Sequence, residues 1–508
     1  MKPSPGDVVE LQISALASGG GGEGIARMGE GGYVVFVAGA IPGDRVRALV
    51  HKRKRSYAHA RTLEVLEESP ERIAPAAAHP GVPWQVIPYQ RQLEIKSAQV
   101  DEALRRIGHL EHFQLAEIVP AVEQWRYRNK LEYSFGMAAG EGEGEGATGA
   151  GAGQLEAARE LVCGFHAPAG ANAVLGLEDC LLASLEGNRA RSAALRWCRE
   201  QGLEAWERNG SHAARANGSQ SAASGHDAAA RARHELERIA PARDGRARLR
   251  NLVVRDGRRT GQLQVRIVTT EGALDADALA GALHDALGDH LSGVLWTRSR
   301  SLAETTAGGE TELVWGELQL PERVCELDLR ISPEAFFQTN TEMAEVVYAH
   351  AMKYADLEGW ERVYDLYSGI GTIALSLAPR AGELWGIELI EDAVADAIAG
   401  AQRNEVTNAR FFAGDVRAAL PELVGRAGRP DLIVVDPPRA GLSKKVVRRI
   451  IEAAPKRLVY VSCNPTTLAP NAAELVHAGF TLAKVQPIDQ FPQTPHVECV
   501  ALLERRGP

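Results

Sequence analysis

Two short apolar runs, each closing on a chemically loaded loop, constrain the fold more than any other feature of the chain. Asp431-Leu432-Ile433-Val434-Val435 leads into Asp436-Pro437-Pro438-Arg439, and Arg457-Leu458-Val459-Tyr460-Val461 leads into Ser462-Cys463-Asn464-Pro465. Continuous apolar runs of this length predict strands buried on both faces, as in a parallel sheet. In open α/β sheets ligands collect outside the carboxyl ends of the strands. Downstream lies Phe491-Pro492-Gln493-Thr494-Pro495-His496-Val497-Glu498. A thiol and two acids, each at a strand end or loop, point to covalent catalysis beside a bound cofactor.

The surrounding pattern supports such a sheet. From about Glu361 strand-like and helix-like segments alternate, the mark of a doubly wound fold. Val363-Tyr364-Asp365-Leu366-Tyr367 is the predicted first strand. Ser368-Gly369-Ile370-Gly371-Thr372 then opens a helix through Leu377, and a second strand over 383–387 ends at Glu388. A glycine turn of this kind lets backbone approach a ligand closely. Glu388, 19 residues after Gly369, has the spacing of an acid that accepts hydrogen bonds from ribose hydroxyls, usually about 20. With Ala374 at the third glycine position, the turn alone admits either a dinucleotide or S-adenosylmethionine. The paired prolines after Asp436 fix φ and remove two donors, making a rigid wall suited to a planar base.

Residues 6–66 read as a small all-β module, with strand-like runs 8–13, 33–37 and 45–50 separated by glycine-rich turns. Between Arg45 and Arg61 lie seven basic residues and no acid, including Lys52, Arg53, Lys54 and Arg55. A small barrel with a basic rim and an aromatic neighbour, here Tyr57, is a common way to hold RNA. The net charge of −9 does not oppose this, because phosphate binding depends on local patches. A helix is expected over 89–108 and a hairpin over 252–268 turning at Asp256-Gly257. The Gly/Glu tract 136–153 and the Ala/Ser-rich tract 209–230 read as disordered insertions.

At 508 residues, with 45% hydrophobic and 24% charged, the chain suggests two to four soluble domains. There is no run of 18 apolar residues and no signal-like start, so a cytoplasmic location is expected. Six scattered cysteines without a C-x-x-C pair indicate neither a disulfide framework nor a zinc site.

Taken in order, the motifs resemble those of the bacterial RNA uracil-C5 methyltransferases, which make 5-methyluridine. Gly22-Glu23-Gly24-Ile25-Ala26-Arg27 and Val35 to Asp44 resemble a TRAM domain. Ser69-Pro70-Glu71-Arg72 and Tyr89 to Lys96 resemble the segment after it. Phe336-Phe337-Gln338, Asp365 to Gly371, Asp436 to Gly441, Ser462 to Pro465 and Phe491 to Glu498 resemble the catalytic motifs. The resemblance implies three parts: a TRAM/OB-like barrel over 1–68, a central α+β domain over 69–330, and a Rossmann-like methyltransferase domain over 331–508.

It also implies roles: Cys463 as nucleophile, Glu498 as base, and Gln338, Tyr367, Gly369, Thr372, Glu388, Asp415 and Asp436 around S-adenosylmethionine. A monomer acting on 23S ribosomal RNA is favoured, with a transfer RNA T-loop uridine as the alternative. Many TRAM-bearing members hold an iron–sulfur cluster. Cys180 resembles its fourth ligand, but Pro75 to Trp84 contains no thiol, so no cluster and no metal is expected.

For the chemistry, a lowered Cys463 pKa and a raised Glu498 pKa are expected. Three other readings compete: methylation of an exocyclic amine, a dinucleotide-dependent oxidoreductase, and a non-catalytic RNA-binding or folding factor on the same scaffold.

Overall fold

The computed structural model describes residues 2–18, 21–29, 32–139, 159–167, 173–206, 240–242 and 244–506. The tract 209–230 and residues 140–153 of the Gly/Glu tract lie outside these. Gly136 to Ala139 are not structureless. They end the strand Lys130–Ala139 and pair with residues 159–162; a partner strand that takes up their backbone groups overrides their composition.

Contacts group the chain into two compact units, Met1–Tyr127 with Arg258–Thr260 and Pro321–Pro508, and Arg128–Gly257 with Gly261–Leu320. Residues 69–127, read from sequence as part of a central domain, thus pack with the first unit.

The first unit begins with a curled six-stranded sheet, ordered Val8–Gln12, Arg45–Arg53, Tyr57–Glu67, Tyr33–Ala38, Gly24–Met28, Ala15–Leu16. Burial alternates along Tyr33–Ala38, so Val35 and Val37 point into a core shared with Val46, Val50 and Ala60. A second small cluster joins this module to the segment after it: Leu16 and Ile41 pack with Trp84 and Ile87. The Trp84 indole Nε1 lies 3.4 Å from the Gly22 carbonyl oxygen, to which it donates. A Cβ on Gly22 would fall 2.6 Å from that nitrogen and 3.3 Å from Pro495, and its φ of 75° suits glycine too. The helix predicted over 89–108 is α-helical over Tyr89–Glu102 and closes in a π-helical turn, Ala103–Ile107.

The rest of this unit is a twisted sheet ordered Ala409–Ala413, Glu383–Glu388, Arg362–Leu366, Leu432–Val435, Arg457–Ser462, Glu498–Arg505, Phe480–Ile488, Gln114–Leu115. The first five strands are parallel. Glu498–Arg505 runs antiparallel between its two neighbours. The chain winds outward from Arg362–Leu366 through two strands, then returns to its other side at Leu432–Val435. That reversal is a topological switch point, where a crevice opens at the strands' carboxyl ends. Tyr364, Ile433, Leu458 and Tyr460 are fully buried in one cluster with the helices over 416–427, 444–453 and 465–477.

The second unit is a seven-stranded mixed sheet carrying the helices Leu185–Glu200 and Ala276–Leu287. Its hairpin pairs Gly257 with Gln262, so Asp256 and Gly257 lie in the strand and the turn is made by residues 258–261. Among the described residues no helix is long and apolar enough to cross a membrane.

Candidate active site

The glycine turn after Arg362–Leu366 bends backward through three residues of positive φ: Tyr367 at 65°, Gly369 at 56° and Gly371 at 82°. For Tyr367 that conformation costs energy and persists only where surroundings enforce it; its amide donates to the Ile387 carbonyl at 2.9 Å. At Gly371 a Cβ would stand 3.0 Å from both Ala397 and the Phe411 ring, so packing as well as φ requires glycine.

Glu388, at the end of the second strand, faces this turn. Its carboxylate accepts from the Gly369 amide at 3.0 Å and from the Leu389 and Ile390 amides at 2.7 and 2.9 Å. A carboxylate offers about four acceptor sites, so one remains for a ligand hydroxyl. Leu389 and Ile390 beside it are 65% and 50% exposed, an apolar flank of the kind that marks a binding groove.

Thr372 and Asp415 are differently engaged. The buried Thr372 hydroxyl bonds the Tyr348 hydroxyl at 3.1 Å. Asp415 caps the helix Val416–Ala427 and pairs with Arg417, whose hydrogen bonds hold its pKa down at about 2. It neighbours Tyr367 closely enough to influence that phenol.

Strand register assembles the reactive cluster. Ser462 pairs with Cys499 in the antiparallel ladder, so the next step of the same register brings Cys463 level with Glu498. Asp436, partly open but densely surrounded, accepts a hydrogen bond from Gln338 Nε2 at 3.0 Å. Gln338 Oε1 in turn accepts from Gln490 Nε2 at 2.7 Å. Burial pushes Asp436 up to about 7. Glu498 is 2% exposed, its Oε1 has no hydrogen-bond partner, and burial followed by the Asp436 charge drives its pKa well up.

Cys463 departs from expectation. Its thiol is pushed up to about 12, first by burial and then by the charges of Glu498 and Asp436, against a smaller opposing effect of Arg439. Two acids at the thiol outweigh one guanidinium, and the helix Pro465–His477 that begins beside it is capped by Asn464.

The basic run lies elsewhere, on the N-terminal module. Lys52 to Arg55 are exposed at the turn between Arg45–Arg53 and Tyr57–Glu67, closed by the Lys54 amide on the Tyr57 carbonyl at 2.8 Å. Tyr57 stands edge-on to Phe36 and His59, at 5.7 and 5.4 Å.

Two family models match the chain. The tRNA (uracil-5-)-methyltransferase model matches residues 297–506, and the TRAM domain model matches residues 4–63. An uncharacterized RNA methyltransferase of Chlorobaculum tepidum is 35% identical, over 98% of this chain and 97% of its own. One of Bacteroides thetaiotaomicron is 34% identical, over 96% of this chain and 99% of its own. The chain belongs to the tRNA (uracil-5-)-methyltransferase family of RNA methyltransferases. Its fold is similar to that of Pyrococcus abyssi tRNA (uracil-54, C5)-methyltransferase, solved with S-adenosyl-L-homocysteine: the TM-score is 0.68 at 23% identity, covering 97% of this chain and 100% of that one.

All nine candidate residues of the C-terminal sheet fall inside the span matched by the methyltransferase model, and Lys52 to Arg55 fall inside the TRAM domain. Three more residues border the candidate site. Asp365 is buried beneath it, raised well above the carboxylate range by burial and then by Asp436; an acid inside an apolar strand was its signal. Gln490 orients Gln338, and Arg439 Nη2 lies 3.3 Å from His496 Nδ1. These two contacts have no local sequence signature. Among the described residues no group of three or more His, Cys, Asp or Glu side chains is placed to hold a metal ion, and Cys180 is buried beside Tyr133.

Proposed function

We propose that this enzyme methylates C5 of a uridine in RNA through a transient covalent bond from Cys463 to C6 of the base. The observation that carries the reading is the register that sets Cys463 beside Glu498, with Asp436 between them and the glycine turn. The site fits S-adenosylmethionine: Glu388 keeps an acceptor free for a ribose hydroxyl, Leu389 and Ile390 supply an apolar wall, and Gln338 and Asp436 border the reacting end. When bound, S-adenosylmethionine supplies an electrophilic methyl group on a sulfonium cation.

The chain's residues supply the rest. The Cys463 thiolate adds to C6, opening the C5=C6 double bond and placing negative charge on the C4 oxygen and C5. C5 is then nucleophilic; as it bonds the methyl carbon of bound S-adenosylmethionine, the carbon–sulfur bond would break with its electron pair left on sulfur, releasing a neutral thioether. Glu498 takes the C5 proton, the electron pair restores C5=C6, and the Cys463–C6 bond breaks to return the thiolate. A thiol raised this far is almost wholly protonated at neutral pH. A sulfonium held near these groups would favour their ionised forms, which would couple activation of Cys463 to binding of the donor. The base must leave its stack to reach the cluster.

The TRAM domain favours 23S ribosomal RNA as substrate by family resemblance, and its basic run supports RNA as the partner. A transfer RNA uridine is the second reading, favoured by the family description and by the substrate of the Pyrococcus abyssi enzyme. Mapping 5-methyluridine in both RNAs from a strain lacking the gene tests the choice: one ribosomal position should lose its methyl group, and a lost transfer RNA position instead would reverse it. With Glu498→Gln, methylated RNA linked to the protein should accumulate as a slow-migrating band. If none forms in the folded variant, Glu498 is not the base. A methyl-transfer assay that gives no turnover on either RNA would favour the non-catalytic factor.

A further inference from the structure

Nothing holds Glu498 by its own Oε1, which has no hydrogen-bond partner. Its position is inherited from its strand and from the irregular stretch 489–497 that leads into it. That stretch is fastened unusually well. The Gln490 carbonyl accepts from Asn340 Nδ2 at 2.8 Å, Phe491 from Lys96 Nζ at 3.0 Å, Pro492 from the Tyr127 hydroxyl at 3.1 Å and Gln493 from the Trp84 amide at 3.0 Å. Gln92 bonds Gln493 twice, donating from Nε2 to Gln493 Oε1 at 2.7 Å and accepting the Gln493 amide at 3.0 Å. Lys96, one helical turn after Gln92 on the same face, reaches Asp489 Oδ1 at 2.5 Å with both side chains fully buried.

A buried ion pair is a poor choice if stability is the only requirement. Removing two charges from water is costly, and well-packed apolar side chains usually serve as well or better. What a buried pair gives is one allowed geometry. Lys96 has three donors, and two go to Asp489 and the Phe491 carbonyl, so a slipped loop would strand a charge in the interior.

We infer that Lys96 and Gln92 are positioning residues for the reaction: they fix the register of residues 489–493 and thereby the place of the Glu498 carboxylate at C5. The inference rests on the reading of Glu498 as the base. It separates the steps. Displacing Glu498 slows proton removal but leaves thiol addition and methyl transfer in place, so the methylated, protein-linked RNA should build up.

The test uses the full-length protein. Lys96→Met combined with Asp489→Asn removes both charges without stranding either, and Gln92→Leu leaves the ion pair intact while freeing Gln493. Each variant should keep its circular dichroism spectrum and bind S-adenosylmethionine within about 2-fold of the parent. The RNA KM should be similarly unchanged. Turnover should fall by roughly 10- to 100-fold, the range expected for a displacement near 1 Å, with the adduct visible on a denaturing gel. Parental turnover in either folded variant would overturn the inference, as would slowed turnover without adduct. Should the double variant not fold, Gln92→Leu alone decides by the same criteria. If Glu498→Gln traps adduct and these variants do not, the positioning role fails while the base assignment stands. If Glu498→Gln traps none, the underlying reading fails.

Discussion

The buried acid Asp44 of the TRAM domain and the acids Asp436 and Glu498 at the methyltransferase sheet have opposite chemistry. Asp44 is fully buried, yet its carboxylate accepts from the Ile41 and Ser69 amides at 2.8 and 2.9 Å and from Arg72 at 2.5 Å. Burial pushes its pKa up, and those partners together more than reverse the effect, so it lies below the usual range. Asp436 has one side-chain donor, Gln338, and is raised to about 7. Glu498, with Oε1 unpartnered, is raised too, first by burial and then by the Asp436 charge. An acid supplied with donors ties elements together. An acid denied them holds a proton near neutral pH and is available for chemistry.

The largest effect that would break this contrast is at the thiol. Cys463→Ala should lower methyl transfer by at least about 10³-fold, as loss of a nucleophile does, and abolish the covalent adduct. Affinity for S-adenosylmethionine should survive, measured calorimetrically. Turnover near the parental rate would mean that the raised acids serve some other reaction.

Next comes Asp44. Asp44→Asn should destabilise the protein by roughly 3 kcal/mol at pH 7, because it unbalances a buried ion pair. A lowered pKa contributes stability above the unfolded value near 4 that is lost as pH falls through the folded value. Denaturant midpoints of variant and parent should therefore converge in acid. A constant gap down to about pH 2 would deny the ionic origin.

Asp436→Asn should have the opposite sign. A raised carboxyl makes the folded state hold a proton that the unfolded state releases, so stability falls as pH rises from about 4 to about 7. The variant should be inactive yet more stable, by roughly 0.5–2 kcal/mol above neutral, with the gain vanishing near pH 4. A destabilised variant at pH 8 would place Asp436 with Asp44 as a structural acid.

The smallest effect concerns surface charge. Neutralising Lys52, Arg53, Lys54 and Arg55 should leave stability nearly unchanged, since exposed charges contribute little. The log–log salt slope of RNA binding should fall by roughly 0.7–0.9 for each phosphate no longer neutralised. An unchanged slope would make the run a solvated surface.

Much of the sheet was legible because its strands are short, apolar and buried on both faces, and because acids and a thiol interrupt that pattern only at the ends. Asp436, Glu388 and Cys463 could be found that way. The Cys463 pKa could not: an isolated motif suggests an activated thiol, whereas the raised value comes first from burial and then from Glu498, an acid that only sheet pairing brings level with it. Nothing in Pro42-Gly43-Asp44 marks Asp44 as a tie between elements, because its donors at Ser69 and Arg72 lie well downstream. Lys96 and Asp489 are 393 residues apart, beyond any periodic signal. Gly136 to Ala139 were misread because a partner strand, not local composition, decided their conformation.

The indole of Trp84 has a consequence for modularity. It is fully buried against Leu16 and Ile41 of the TRAM domain, its ring nitrogen reaches Gly22, and its own amide holds the Gln493 carbonyl in the loop that ends at Glu498. The RNA-binding module and the reactive loop thus share a wall one side chain thick. A fragment cut after residue 68 would turn that wall to water, so a domain that looks detachable in the sequence helps frame the candidate site, and grafting a foreign barrel in its place would require matching this one indole first.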